Sequence, residues 1–568
     1  MTEFDLSIHD PLRRRVLAAL AGGCAASFTG PLWAKALCND DPVISNLGSP
    51  LTIDTHAHFF NGRDLQVREF LSQTTVGPDS ELYSLVNAVS GLLQALAWSR
   101  APDAASERQA IARYAQGMQH CEPGEGVRRL AAGAFQEGYA IGRDELQQAS
   151  ARLGANPGGS LVLGAADAQG ELGEAINTLP QNFEDFEAQR SDGALVLGSH
   201  PTVAGYLRFI LHHFNYRHVN AIDYLTTYSR DSPRKIDLVV SSMVDYDGWL
   251  TKGRPTPTSL PDQVALMSEI SVLLGGRVHG FVPFCPLREI MTMGQDGEGD
   301  SMRLVRQAVT DGGCIGVKLY PPMGFAAYGN AGRDVWRKKK TLPPVAAQPD
   351  FGKQLDAAMA RLYTWCLAQD VPIMAHTNHS NGPYEDFRKL AGSAGWEAAL
   401  HQFPGLSVSF GHFGDTDLED HSAKRTRDFL ALMRGEGEGA RAFSDSGFFA
   451  GTLIHPKTMQ QVLHTLYDAP NGLMGERLMY GSDWTMILKE KNVDRYLADF
   501  IKVIGAVGQQ APQLRPRGMN LADAFFGANA TEFLGLRKGR GNRRRLEAFY
   551  GRHQVATPDW MRKVDGLA

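Results

Sequence analysis

Five short segments of this chain each close an apolar run on a residue that can bind a metal or carry a charge. They are Ile53-Asp54-Thr55-His56-Ala57-His58, Gly316-Val317-Lys318-Leu319-Tyr320, Pro372-Ile373-Met374-Ala375-His376, Ser407-Val408-Ser409-Phe410-Gly411-His412 and Met479-Tyr480-Gly481-Ser482-Asp483-Trp484. Imidazoles with a carboxylate are the ligand set of zinc and related divalent ions. His56 and His58 stand two apart, and side chains alternate along a strand, so both can face one side. Asp483 could ligate a metal and take a proton from its bound water. Each has a plainer explanation alone. His-x-His is more often two packed or surface histidines, a lone strand-end histidine is usually structural, and aspartate commonly caps the next helix. Five in order make a divalent metal centre the leading reading.

Lys318 is the ambiguous member. A lysine inside an apolar strand is costly unless paired or modified. It reads as a carbamylated lysine bridging two metals, as an ammonium that binds an acidic substrate, or as a stem that packs while its head reaches solvent.

Residues so far apart in the chain need a scaffold that brings strand ends together. Strand signals fall at Leu51 to His58, Ile236 to Met243, Val278 to Cys285, Cys314 to Tyr320, Val371 to His376, Leu406 to His412, Ala440 to Asp445 and Arg477 to Asp483. Helical spacing separates many of them, at Ser301 to Thr310, Gln354 to Gln369, Tyr384 to Gln402 and Pro456 to Tyr467. This α/β alternation predicts a parallel sheet, and eight strands favour closure into a (β/α)8 TIM-like barrel with its chemistry at the strands' C-terminal ends. Between the first two strands lies a long stretch with helical spacing, including Leu82 to Trp98 and Glu107 to Met118. It is too long for a loop and too periodic for disorder, so it reads as a large helical insertion after strand 1. The expected organisation is a leader at 1–36, a linker at 37–50, the barrel at 51–62 and 236–536, the insertion at 63–235 and an extension at 537–568. The basic run Arg537 to Arg545 reads as a solvated surface element.

Bulk properties narrow the function. The 568 residues are 43% hydrophobic and 21% charged, with a net charge of -5. Nothing in that balance draws a polyanion, so nucleic acid is excluded as the expected partner and a small molecule is favoured. Six cysteines without C-x-x-C spacing make neither a disulfide framework nor a zinc finger. No run approaches ~18 uninterrupted apolar residues, so no transmembrane segment is expected. Arg13-Arg14-Arg15 precedes a modest apolar stretch and Ala34-Lys35-Ala36. This resembles a twin-arginine export signal and predicts a periplasmic protein; the alternative is a basic helix on a cytoplasmic one. A homo-oligomer is compatible with all of this.

The same motifs resemble the amidohydrolase superfamily, specifically the amidohydrolase-related family of hydrolases, lactonases and non-oxidative decarboxylases. Asp54-Thr55-His56-Ala57-His58-Phe59-Phe60, Gly316-Val317-Lys318-Leu319-Tyr320-Pro321, Ala375-His376-Thr377, Gly411-His412-Phe413-Gly414 and Tyr480-Gly481-Ser482-Asp483-Trp484 carry the resemblance, with Gly527 to Leu536 resembling the family's closing helix. The resemblance implies His56, His58, His376 and Asp483 as ligands of a single metal, with His412 polarising the substrate or shuttling a proton. In the two-metal version His376 and His412 hold a second ion bridged by Lys318. Zinc, as one or two ions, is the implied cofactor.

The implied activity is hydrolysis of an amide, ester or lactone by metal-activated water, with Asp483 and His412 as catalytic residues. The alternatives are a metal-dependent decarboxylase of a small carboxylic acid and a barrel that binds metal without catalysis. Arg63, Tyr320, Asn378, His379 and Trp484 are candidate substrate-binding residues, and Arg288 is a further candidate for a carboxylate. For most of these an ordinary surface role is the commoner one.

Overall fold

The computed structural model describes residues 48–71, most of 90–118, a few single positions up to 209, and then 212–229, 232–379, 381–414, 424–433, 441–468, 472–490 and 492–567. The expected export signal and much of the expected insertion lie outside the described residues.

Eight parallel strands follow one another around a sheet in chain order. They are β1 (Ile53–Ala57), β2 (Leu238–Ser242), β3 (Val278–Pro283), β4 (Gly316–Leu319), β5 (Ile373–His376), β6 (Val408–Gly411), β7 (Ala442–Asp445) and β8 (Leu478–Met479). Every residue in them is buried, as expected where helices cover the outer face of a parallel sheet. Backbone bonds close the ring between β8 and β1: Thr55 N–H donates to Tyr480 O at 3.1 Å and Asp483 N–H to His56 O at 2.7 Å. Ala57 and Trp484 form a parallel bridge beside them. The fold is the expected (β/α)8 barrel.

Alternate strand residues fill the interior. Ile53, Leu238, Val240, Phe281, Met374, Phe443 and Met479 form one cluster within the strands. Strict alternation from Ile53 would point residues 55 and 57 inward. The pairing of β1 with β2 slips between Asp54 and Ala57. That slip shifts the phase by one residue and turns His56 and His58 to the inner face, a common use of a bulge beside a site.

The described part of the insertion is largely helical. It includes α1 (Ala104–Met118) and α2 (Arg217–Ser229). A buried triad joins both to the turn after β1: Arg217 Nε donates to Asp64 Oδ2 at 2.9 Å, and its other nitrogens reach Asp64 and Glu107. The expected helix over Tyr384 to Gln402 is divided into Glu385–Arg388, a tight turn at Lys389–Ala391 and Ser393–Gln402, because Gly392 takes an extended backbone.

The basic run is not simply solvated surface. The last two helices, α3 (Gly541–His553) and α4 (Asp559–Asp565), cover the barrel end opposite the site. Asn542 Nδ2 donates to Ile315 O at 2.6 Å and Trp560 Nε1 to Gly276 O at 2.9 Å. Arg543 is buried between Asp565 and Glu547, and Arg540 pairs with Asp370. Among the described residues no helix is long and apolar enough to cross a membrane.

Candidate metal centre

His56 and His58 leave β1, Lys318 rises from β4, His376 ends β5, His412 follows β6 and Asp483 follows β8. The barrel brings all six to one end and buries them; the most exposed show 5% of their surface. Ligand atoms of His56, His412 and Asp483 lie within 4.8 Å of one another. His58 Nε2 is 3.2 Å and His56 Nε2 3.5 Å from Asp483 Oδ1. His376 stands behind His412, with its Nδ1 3.1 Å from His412 Nε2.

Hydrogen bonds set the ring tautomers. His56 Nδ1 lies 3.0 Å from Asp445 Oδ1, His58 Nδ1 2.8 Å from Ser242 O, and His412 Nδ1 2.8 Å from Gly447 O. A carboxylate and a carbonyl only accept, so each Nδ1 carries the proton. Burial, with the Lys318 charge second, drives the His56 pKa well below the usual imidazole value. Burial lowers that of His58 too. Neutral rings protonated on Nδ1 present lone pairs from Nε2. Lone pairs of two imidazoles thus converge on a carboxylate oxygen. Such a set is repulsive until a cation sits among its members, and it fits a zinc-type divalent ion.

Lys318 Nζ lies 3.4 Å from His56 Nε2 and 2.8 Å from Met374 Sδ. Burial lowers its pKa from 10.5 to about 8, against the pull of Asp445 and Asp483. Aromatic rings wall the cluster. Tyr320 stacks on His376 with centroids 4.3 Å apart, Tyr246 meets Tyr320 edge-on at 5.1 Å, and Phe60 stacks on His58 at 4.9 Å. Phe60 also stacks on His213 at 6.2 Å. His213 lines a small apolar cleft with Leu65, Phe70, Phe209 and Phe214.

The other sequence candidates fall in different places. Arg63 donates to the Trp98 carbonyl in the insertion. Arg288 is held by Asp245 at 2.5 Å and by Asp247 at 3.0 Å. His379 is exposed beside Arg425, and Asn378 is half-buried next to it. Trp484 is buried against Tyr224 and Tyr228, at 5.3 and 5.6 Å.

Three contributors lie outside the sequence reading. Asp54 accepts from His56 N–H at 2.9 Å, from Ser482 N–H at 3.1 Å and from the Tyr224 hydroxyl, so it joins β1, the β8 exit and α2. Tyr246 covers Tyr320. Asp445 holds His56. Asp54 stands in the β1 motif without an assigned role, and Asp445 ends another apolar run, Ala442-Phe443-Ser444-Asp445, on a metal-type residue.

No family model matches the chain, and no curated protein matches it. Solved structures similar to it include an amidohydrolase from Burkholderia multivorans with bound zinc, at 15% identity, 56% of this chain, 88% of that chain and a TM-score of 0.33. A protein from Lactobacillus casei named as a metal-dependent hydrolase shows 11% identity over 88% of this chain and 97% of its own, with a TM-score of 0.38. A 2,6-dihydroxybenzoate decarboxylase complexed with 2,6-dihydroxybenzoate shows 12% identity over 62% and 96%, with a TM-score of 0.33. Likenesses this remote carry nothing about reaction or ligand. The chain is similar to amidohydrolases, and the barrel stands on its own strand order and closure.

Proposed function

We propose that this protein is a metal-dependent, amidohydrolase-type hydrolase of an amide, ester or lactone bond in a small molecule. The observation that carries the proposal is the convergence of the His56 and His58 Nε2 lone pairs on Asp483, with the His412 ligand atom inside the same cluster. His56, His58, His412 and Asp483 would hold the ion, with His376 and Lys318 beside them. A divalent ion held there would supply Lewis-acid polarisation of a carbonyl and a water-derived nucleophile near neutral pH. As a carboxylate ligand of the ion, Asp483 would accept the water proton and return it to the leaving atom. Lys318 offers a positive charge to the oxygen that gains negative charge. The near-complete burial of the cluster keeps bulk water from competing for those charges.

A specific observation favours a second reading. Lys318 Nζ lies 5.9 Å from the Tyr320 ring centroid, so a cation meets an aromatic wall. That pairing suits an aromatic carboxylic acid and a decarboxylation in which Asp483 delivers a proton to carbon.

The test is turnover of a panel of lactones and aryl esters by the wild type and by Asp483→Asn, with metal content measured on both. General acid–base roles contribute about 10²–10⁴-fold, so kcat should fall by at least ~100-fold with metal retained. Unchanged turnover in Asp483→Asn refutes the mechanism. Carbon dioxide release from aromatic acids, without hydrolysis of the panel, moves the assignment to the decarboxylase.

A further inference from the structure

β7 supplies none of the ligands named above, yet its exit touches three of the elements that do. We propose that Asp445-Ser446-Gly447 is the positioning element of the metal centre: it fixes the ring tautomers of His56 and His412 and the course of the loop that carries Asp483. The proposal rests on the metal-centre reading above.

Asp445 is fully buried. Its Oδ1 accepts from His56 Nδ1 at 3.0 Å, from His412 N–H at 3.2 Å and from Gly447 N–H at 3.0 Å. Ser409 Oγ donates to Oδ2 at 3.3 Å. One carboxylate therefore orients the His56 ring and the backbone of His412 together. Two residues on, the Gly447 carbonyl accepts a hydrogen bond from His412 Nδ1–H at 2.8 Å. Between them Ser446 Oγ donates to Gly481 O at 3.1 Å and accepts from Gly481 N–H at 3.0 Å, two residues before Asp483. The Tyr496 hydroxyl braces the segment by donating to Ser446 O at 2.8 Å.

Residue 447 has to be glycine for this approach. A Cβ there would stand 2.5 Å from His56 Nδ1 and 2.9 Å from Asp445 Oδ1. The segment is shaped to the imidazole it holds. A carboxylate on the far nitrogen of a ligating histidine fixes its orientation and raises its basicity, and losing such a partner commonly weakens metal binding about 10–100-fold.

The proposal is tested on full-length protein stripped with a chelator and titrated with zinc and with cobalt(II) against a chromophoric competitor. Asp445→Asn should bind zinc about 10–100-fold more weakly. Its cobalt(II) absorption bands should also shift, a change that a merely structural role for Asp445 does not produce. Affinity within twofold of wild type, with the same cobalt spectrum, overturns the proposal. Nitrogen-15 NMR of histidine-labelled wild type needs no variant to fold: protons on Nδ1 of His56 and His412 are expected, and protons on Nε2 overturn it. A wild type that binds neither ion fails the metal-centre reading itself, and is distinguishable from a wild type that binds and an Asp445→Asn that binds equally well.

Discussion

The joint between the insertion and the barrel is the most exacting place to perturb this chain. Arg217 is 2% exposed, with Asp64 and Glu107 equally enclosed on either side. Its guanidinium serves both carboxylates, and its backbone N–H donates to Glu107 Oε2 at 3.1 Å. Arg217→Met keeps most of the side-chain bulk and removes the charge. Glu107 then retains Asn61 Nδ2 at 3.1 Å, and Asp64 retains Asn61 N–H at 3.0 Å, with no cation between them. Removing one partner of a buried pair costs about 3–5 kcal/mol, and this one leaves two carboxylates behind. Burial already pushes Glu107 up from 4.5 to about 7, with Arg217 pulling it down. Without Arg217 that counterweight is gone and the folded pKa rises further. A carboxyl whose folded pKa lies above its unfolded value binds more protons folded than unfolded. Its stability contribution is full below the unfolded pKa and is lost as pH rises through the folded one. The loss in Arg217→Met should therefore be largest near pH 8 and smallest near pH 5. Urea unfolding of chelator-treated full-length protein at both pH values measures it, with Arg217→Met/Glu107→Gln expected to recover part of the loss at pH 8. A loss below about 1 kcal/mol at pH 8, or a larger loss at pH 5, refutes the reasoning.

Two further perturbations address the site's surroundings. Tyr224→Phe takes one hydrogen-bond partner from the buried Asp54 carboxyl, whose pKa burial raises to about 7, and a typical hydrogen bond is worth about 0.5–1.5 kcal/mol; thermal unfolding should register that loss, and an unchanged melting temperature would mean Tyr224 does not support β1. Lys318→Met should stabilise the metal-free protein at pH 7. The fall of the lysine pKa from 10.5 to about 8 is worth about 3 kcal/mol at roughly 1.4 kcal/mol per pH unit. A lysine with a depressed folded pKa loses its proton more readily when folded, so wild-type stability recovers between pH 8 and 10.5 and the advantage of Lys318→Met should vanish above that range. An advantage that is absent at pH 7, or that persists at high pH, contradicts the burial argument.

Periodicity and order along the chain were enough to predict a barrel and to name the residues at its strand ends. Burial on both faces makes each strand a short apolar run, and a site at the strands' C-terminal ends makes the last residue of each run the informative one. Both are local signals. The phase of β1 is not: only its slipped pairing with β2 turns His56 and His58 inward together, and that slip exists in the contact between strands. The partners of charged side chains are equally non-local. Asp445 meets His56 across 389 positions, and Arg288 and Arg63 turned to acceptors that no spacing rule points to. The run from Arg537 to Arg545 shows the same division, since its charges looked solvated until Asp370 and Asp565 folded against them. Side-chain alternation and helical spacing are written within a few residues of sequence. Tautomers, ion-pair partners and the identity of the residues that hold a ligand in place depend on which strand ends meet when the barrel closes.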